Sequence, residues 1–201
     1  PEVSAVVGGW QGQLANSGQT IQLEDDSGHT VEAVEYSNQG EWAVRIPGPL
    51  FRGHTGWEWS SAADGLGASL ERIQPQLPGN YGQNWQASLG TNGTPGTVNS
   101  RFATNLPPII LDVGHSPLVP RSNEIVTVTA RFLDESTHVM AQLYWRLDGT
   151  KDFLNVPMSD AGPPVDRTPG DGRFSAQIPA SPEGSIIEFY VAAEDSAGLR
   201  R

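Results

Sequence analysis

Hydrophobic and polar residues alternate along most of this chain, whereas apolar residues at the three- and four-residue spacing of an amphipathic helix are nearly absent. In residues 19–37, Ile21 and Leu23 alternate with polar neighbours, and an Asp-Asp-Ser-Gly sequence follows at 25–28. A turn sequence between two alternating runs predicts a β-hairpin. Residues 69–73, Ser-Leu-Glu-Arg-Ile, predict another short strand.

The second half of the chain alternates more regularly. Turn sequences such as Asp148-Gly149 and Asp171-Gly172 interrupt it at intervals of about 10 residues. Six or seven strands at this spacing are typical of an immunoglobulin-like β-sandwich. Residues 104–108 end in a Pro-Pro pair, which stiffens a linker. The sequence therefore predicts an all-β protein with two immunoglobulin-like β-sandwich domains in tandem, at residues 1–103 and 109–201.

The composition agrees with many short strands joined by turns. The 201 residues include 23 Gly and 16 Pro, well above the usual combined share of about 12%. Neither a Gly-X-Y period nor a low-complexity tract accompanies this excess. We therefore expect the glycines and prolines to lie in turns of a folded protein.

The charge balance argues against two classes of partner. The net charge is −11, with −6 on residues 1–103 and −5 on residues 104–201, and no cluster of Lys or Arg stands out. Nucleic acids and anionic lipid surfaces require such basic clusters. We therefore expect no nucleic-acid binding and no docking to anionic lipid.

The absence of cysteine excludes disulfides, thiolate metal ligands and cysteine nucleophiles. No apolar run approaches the ~20 residues of a membrane helix, so no membrane insertion is expected, and no signal peptide is visible. The sequence begins at Pro1 and ends within its alternating pattern. We expect it to be a fragment of a longer polypeptide.

The first half of the chain also carries a series of ordered motifs. They are Gly12, Leu14, Asn16 and Gly18; Tyr36; Asp64, Gly65, Gly67, Ser69, Leu70 and Glu71; and Trp85, Gly93, Thr94, Pro95, Gly96 and Asn99. In this order, over residues 5–99, they resemble the C-terminal two-thirds of a lamin tail domain of the bacterial type. The strands that open that family's domain are missing here. The resemblance therefore implies a first domain that lacks its N-terminal strands, with an exposed sheet edge and a half-covered core.

Residues 107–198 are similar to the sandwich that often follows such a tail domain in secreted bacterial proteins. The similarity lies in the Pro-Pro-Ile-Ile start, in Asp-Gly-Arg-Phe-Ser-Ala-Gln-Ile and in the final strand before Asp-Ser-Ala-Gly. Many of those proteins also contain a kinase-like domain of the spore-coat-protein type. The resemblance implies a multi-domain exported or surface protein.

Enzymatic motifs do not emerge from the sequence. Gly65 and Gly67 precede a predicted strand, whereas phosphate and dinucleotide loops require a Gly-rich turn that opens a helix. The four histidines lack zinc-binding spacing, and no Gly-x-Ser-x-Gly nucleophile elbow occurs. A Ser-His-Asp site whose members are far apart in sequence stays open. We predict no enzyme, no catalytic residue and no bound cofactor.

Three aspartates form the one candidate metal site. Asp160, Asp166 and Asp171 lie in the loop "SDAGPPVDRTPGDG", and Ca²⁺ prefers several oxygen ligands on a flexible loop. Turn-stabilising roles explain the same residues equally well. Calcium is therefore a possible ligand at these three positions.

Three tryptophans form the candidate ligand-binding site. Trp42, Trp57 and Trp59 lie in a less regular region, residues 40–67, with Arg45, Arg52 and His54 between them. Indole rings with nearby cations could stack on a pyranose sugar. The alternative is that these tryptophans seal the open end of the first sandwich.

The sequence therefore favours non-catalytic structural or interaction modules of a larger secreted or cell-surface bacterial protein. Sheet edges and end loops would contact a protein or a polysaccharide surface. One alternative is a pair of accessory domains that position substrate for a neighbouring kinase-like or hydrolase domain. A second is a calcium-stabilised adhesin.

Overall fold

A computed structural model describes residues 11–52, 54–136, 138–161 and 168–201. Within these ranges the regular structure consists of β-strands and two short 3₁₀ turns, without an α-helix. All strand pairs are antiparallel. The prediction of an all-β fold is therefore confirmed. The chain divides into two compact units, Pro1–Asn105 and Leu106–Arg201, and the division falls within residues 104–108. The lamin-tail and immunoglobulin-like identities of the two units stay predictions.

In residues 11–52 and 54–105, the first unit contains three two-stranded hairpins, β1–β2, β3–β4 and β5–β6. Their strands are β1 (Gly18–Glu24), β2 (Thr30–Ser37), β3 (Val44–Phe51), β4 (His54–Ser60), β5 (Leu70–Arg72) and β6 (Trp85–Ala87). The hairpin predicted at residues 19–37 is present as β1–β2, and the strand predicted at 69–73 is present as β5. In the turn between β1 and β2, Asp25 accepts hydrogen bonds from the backbone N–H groups of Ser27 (2.9 Å) and His29 (2.8 Å). These bonds reproduce the Asx turn that the Asp-Asp-Ser-Gly sequence favours.

The hairpin β3–β4 lies where the sequence showed only an irregular pattern. Two prolines, Pro47 and Pro49, and the glycine between them obscure the alternation of β3. The strand register also shifts between Pro47 and Leu50. A bulge of this kind moves side chains from one side of a strand to the other, so a strict two-residue period cannot detect the strand.

The buried side chains of the first unit are polar. In residues 11–52 and 54–105 they are Glu71, Gln74, Asn84 and Ser88. Apolar side chains of the hairpin β1–β2 stay exposed instead, for example Leu23 at 60%. The half-covered core that the resemblance implies stays a prediction.

The second unit is a β-sandwich of two three-stranded sheets, in the orders β10-β9-β12 and β11-β8-β7. Its strands are β7 (Ile109–Ser116), β8 (Val126–Leu133), β9 (Val139–Leu147), β10 (Leu154–Pro157), β11 (Arg173–Ile178) and β12 (Ile187–Asp195). Both sheets contribute to one core, which includes Val128 and Ala130 of β8, Leu143 of β9 and Ile178 of β11. Buried and partly buried residues alternate along β8, from Val126 to Ala130, as the sequence pattern predicted.

Among the described residues, no helix has the length and apolar character that crossing a membrane requires.

Candidate functional site

The hairpin β3–β4 presents an aromatic surface to solvent. Trp57 and Trp59 lie two residues apart on β4, opposite Pro47 and Arg45 of β3. Directly opposed residues, and residues two apart in one strand, point to the same side of a sheet. These four side chains therefore share one side of the hairpin, and we refer to them as the indole platform. The Arg45 guanidinium lies 4.3 Å from the centre of the Trp57 ring, in a cation–π contact.

Exposure bears on the two predicted roles of these tryptophans. Trp57 and Trp59 are 57% and 43% exposed, which favours the ligand-binding role over that of sealing the end of a sandwich. The reason is that β3 and β4 pair only with each other in the described structure. The hairpin therefore leaves both rings accessible to a ligand.

Trp42 is placed elsewhere. It ends the 3₁₀ turn Gly40–Trp42, and its ring centre lies 5.9 Å from that of Trp85. The indole N–H of Trp85 donates to the carbonyl of Gly79 at 2.7 Å, which fixes this pair. The predicted three-tryptophan site is thus divided, because Trp57 and Trp59 belong to the indole platform whereas Trp42 packs on Trp85. Of the residues between the tryptophans, Arg52 lies over Phe51, with 5.2 Å between its guanidinium carbon and the ring centre. The side chain of His54 lies outside the described part.

Trp42 and Trp85 line an open cavity of about 490 Å³, which we call the apolar cavity. Its other large apolar side chains come from both flanking hairpins and the residues before β1: Leu14, Ile21, Val34, Tyr36 and Leu70. Asp64 is the only carboxylate among the described residues that line it. Asn38 donates to Asp64 Oδ2 at 3.1 Å. Cavities of roughly 300–1,000 Å³ with apolar walls and few polar groups are typical of ligand sites.

The glycine-rich segment around Gly65 and Gly67 forms turns and not a phosphate-binding loop. Gly65 and Gly67 have φ values of +76° and +89°, which glycine adopts most readily. They precede a strand, β5, and not a helix. Gly93 has φ +63°, and a Cβ at this position would lie 2.2 Å from Ser69 Oγ. Glycine at 93 therefore allows the Gly-Thr-Pro-Gly segment to approach β5 closely.

Glu71 connects β5 with the segment that begins at the Gly-Thr-Pro-Gly sequence. Its carboxylate is buried and accepts hydrogen bonds from the hydroxyls of Thr94 and Ser100 and, at 3.2 Å, from the backbone N–H of Arg101. Burial disfavours the charged form, but these hydrogen bonds outweigh it, so the pKa of Glu71 lies below its usual value of 4.5. The carboxylate is therefore ionised and satisfied, and it holds residues 94–101 against β5.

Two asparagines extend this network. Asn84 is fully buried; its Oδ1 accepts from the backbone N–H of Gln74, and its Nδ2 donates to the carbonyl of the same residue, both at 2.9 Å. Asn99 donates to the carbonyl of Arg72 at 3.0 Å. Glu71, Thr94 and Asn99 belong to the motifs by which the sequence resembled a known family, and these hydrogen bonds give the three residues a structural role.

Two of the candidate calcium residues accept hydrogen bonds from backbone N–H groups. The two carboxylate oxygens of Asp160 accept from the N–H groups of Gly170 and Gly172, each at 3.0 Å, and Asp171 accepts from the N–H of Arg173 at 2.9 Å. Asp166 lies outside the described residues. Across the ranges that the structure describes, no group of three or more His, Asp or Glu could hold a metal ion. The visible contacts are those of turn-stabilising aspartates, and calcium binding stays a prediction.

If Asp160, Asp166 and Asp171 bind calcium, millimolar CaCl₂ should raise the melting temperature of the protein, whereas aspartates that only stabilise turns should leave it unchanged. Extracellular calcium modules bind with dissociation constants of about 0.1–1 mM. At a free calcium concentration ten times the dissociation constant, a bound ion would stabilise the second unit by about 1.4 kcal/mol, which corresponds to a rise of roughly 6–11 °C. Differential scanning calorimetry with CaCl₂ and with EDTA provides the measurement. A rise of this size that is lost in Asp160→Asn would establish a calcium site.

A second aromatic surface, which sequence reasoning missed, lies on the sheet β10-β9-β12. Tyr144 and Tyr190 are directly opposed on β9 and β12, and their rings stack with 4.8 Å between centres and 2° between planes. Phe153 packs edge-on against Tyr190 at 5.0 Å. Arg146 lies over Phe153 at 4.3 Å, and Arg200 donates to the Tyr144 hydroxyl at 2.6 Å. The sequence indicated strands in this region, but the pairing of β9 with β12 could not be read from it.

No protein-family model matches the sequence, and no match was found among curated proteins.

Proposed function

We propose that this chain is a pair of non-catalytic interaction modules of a larger secreted or cell-surface bacterial protein. The first module is lamin-tail-like and the second immunoglobulin-like. The first binds polysaccharide through the indole platform. The observation that carries this proposal is the exposure of two indoles on one side of a hairpin, with a guanidinium in place on one of them.

The chemistry of the indole platform suits a neutral sugar chain. Indole rings offer large, rigid apolar faces on which the C–H groups of a pyranose can pack. Arg45 can also donate hydrogen bonds to hydroxyl groups. The net charge of −6 on residues 1–103 disfavours acidic polysaccharides. Rigid aromatic side chains lose little conformational entropy on binding. The indole platform is already in place before the sugar chain binds, which favours binding.

A depletion assay tests this proposal by measuring how much protein binds to insoluble cellulose, chitin and bacterial cell-wall polysaccharide. We expect the Trp57→Ala/Trp59→Ala variant to bind at least 10-fold more weakly than the parent, because loss of an aromatic anchor costs about 1.4 kcal/mol or more. Phe102→Ala is the matched control, since Phe102 is an exposed aromatic residue (47%) outside the platform. Equal binding of the parent and the double variant would contradict the proposal, as would binding of the parent to none of the three materials.

The stacked tyrosines of the second unit support a contact with protein. Tyr and Arg are over-represented among the residues that dominate binding energy at protein interfaces. Tyr190 is 46% exposed, and Arg146 is fixed by an ion pair with Glu188. A module that contacts a neighbouring domain of the same polypeptide through this sheet would agree with both observations.

A further inference from the structure

The apolar cavity is a second site in the first unit, and polysaccharide binding at the indole platform does not use it. One wall is the hairpin β1–β2, in which Ile21 lies opposite Val34. The facing wall includes Leu70 of β5 and Trp85 of β6. Ile21 is 41% exposed although it lines this space. The cavity is therefore an open space with largely apolar walls, and these walls belong to the hydrogen-bonded hairpins β1–β2 and β5–β6.

The same hairpin has free strand edges. In the described structure, β1 and β2 pair only with each other. Among the residues that the structure describes, no other strand therefore pairs with the outer edge of β1 or of β2, and such an edge offers its backbone N–H and C=O groups to an added strand. An extended chain that pairs with such an edge can direct every second side chain toward the apolar wall. The geometry thus favours a strand over a compact ligand.

The charge around the cavity favours a basic occupant. Asp64 lies in the lining, and no Lys, Arg or His belongs to the described lining residues. Two arginines of this unit are already bound, Arg72 to Glu32 at 2.7 Å and Arg101 to the carbonyl of Ala87 at 2.7 Å. Residues 1–105 carry a net charge of −6. Residues 1–10 contain Glu2 but no Lys or Arg, so charge does not favour the chain's own first residues as the occupant.

We propose that the apolar cavity binds an extended segment of a partner protein, in which apolar residues alternate with polar ones and at least one residue is Lys or Arg. The apolar side chains enter the space between Ile21 and Trp85, and the basic side chain pairs with Asp64. The segment adds a strand to the hairpin β1–β2.

The test measures the binding of three synthetic peptides to the full chain by tryptophan fluorescence and by calorimetry. The probe is acetyl-KVTVTIK-amide, its acidic counterpart is acetyl-EVTVTIE-amide, and acetyl-KVVITTK-amide breaks the alternation. Two variants place the same charge on opposite sides of one hairpin. Ile21→Glu alters the cavity wall, whereas Val31→Glu alters an exposed position (63%) that does not line the cavity. Asp64→Asn removes the carboxylate.

We expect the basic alternating peptide to bind and to shift the emission of the chain. Ile21→Glu should weaken binding at least tenfold, since a buried unpaired charge is costly. Val31→Glu should leave the affinity at or above that of the parent. Asp64→Asn should lower the affinity severalfold, and raising the salt concentration should do the same.

Several results would overturn the proposal. They are no binding of the basic peptide, equal binding of the acidic or broken peptide, and equal losses in Ile21→Glu and Val31→Glu. Peptide binding that appears only after deletion of residues 1–10 would assign the cavity to the chain's own first residues. Dimerisation that Ile21→Glu abolishes would assign it to a second copy. Binding of 1-anilinonaphthalene-8-sulfonate without any peptide binding would indicate a site for small apolar molecules. Every one of these results leaves the proposal for the indole platform untouched, because the platform is tested by different residues.

Discussion

Replacing Glu71 with Ala is expected to lower the free energy of unfolding of the first unit by about 3 kcal/mol. The substitution removes the shared acceptor of two hydroxyls and one backbone N–H, and each buried polar group left without a partner costs about 1–3 kcal/mol. For a unit of this size, the melting temperature should fall by roughly 12 °C or more. Tryptophan fluorescence during thermal unfolding measures it, since five of the six tryptophans lie in residues 1–105.

Glu41→Ala is the matched control for this effect. Glu41 also accepts a side-chain hydrogen bond, from Gln83 at 2.7 Å, but at an exposed position. We expect a change within about 0.5 kcal/mol for this variant. Equal effects of Glu71→Ala and Glu41→Ala would show that the buried network does not stabilise the first unit.

The same carboxylate gives stability a definite pH dependence. Because the pKa of Glu71 is lower in the folded state than its usual value of 4.5, its contribution is fully present above that value and is lost as the pH falls through the folded pKa. The stability difference between the parent and Glu71→Gln should therefore shrink as the pH falls below about 4.5. Urea unfolding at pH 7 and at pH 3 measures the two differences. A difference that grows toward low pH would contradict the assigned hydrogen bonds.

Replacing Leu143 with Ala should destabilise the second unit by about 3–5 kcal/mol. Leu143 is completely buried between the two sheets, and such truncations cost the transfer free energy of the lost atoms together with the cavity left behind. Met140→Ala is the control on the same strand, since Met140 is 60% exposed and should change stability by less than about 0.5 kcal/mol. Calorimetric unfolding of both variants gives the comparison. A loss below about 1 kcal/mol for Leu143→Ala would contradict the sandwich core.

The fold class follows from local pattern in some segments and not in others. The regular alternation of the second half of the chain predicted strands correctly, as in β8, where one side faces the core and buried residues alternate with partly buried ones from Val126 to Ala130. In the hairpin β3–β4, two prolines and a bulge break the period, and the sequence predicted only an irregular region. Which strands pair is set by tertiary contacts, so neither the Tyr144–Tyr190 stack nor the apolar cavity could be derived from the sequence.

The candidate ligand-binding residues could likewise be predicted only in part from the sequence. Composition and spacing identified Trp42, Trp57 and Trp59 together because they occur close to one another in the sequence. Strand register separates them, since Trp57 and Trp59 lie on one side of β4 whereas Trp42 precedes the hairpin and packs on Trp85. The buried role of Glu71 was likewise not visible, because a Glu within a strand pattern is ordinarily exposed. The one signal in the sequence was the glycine-rich segment after Glu71, which contains Thr94, Asn99 and Ser100 as hydrogen-bonding residues.

Polysaccharide binding at the indole platform is tested most directly by one NMR titration. The side-chain N–H signals of the six tryptophans are followed while oligosaccharides of cellulose and chitin, and a soluble cell-wall glycan fragment, are added in turn. We expect the signals of Trp57 and Trp59 to shift and saturate together with one of these sugars. The signal of Trp85, whose N–H is bonded to Gly79, should stay in place. Shifts confined to Trp42 and Trp85, or an unchanged spectrum with every sugar, would contradict the account.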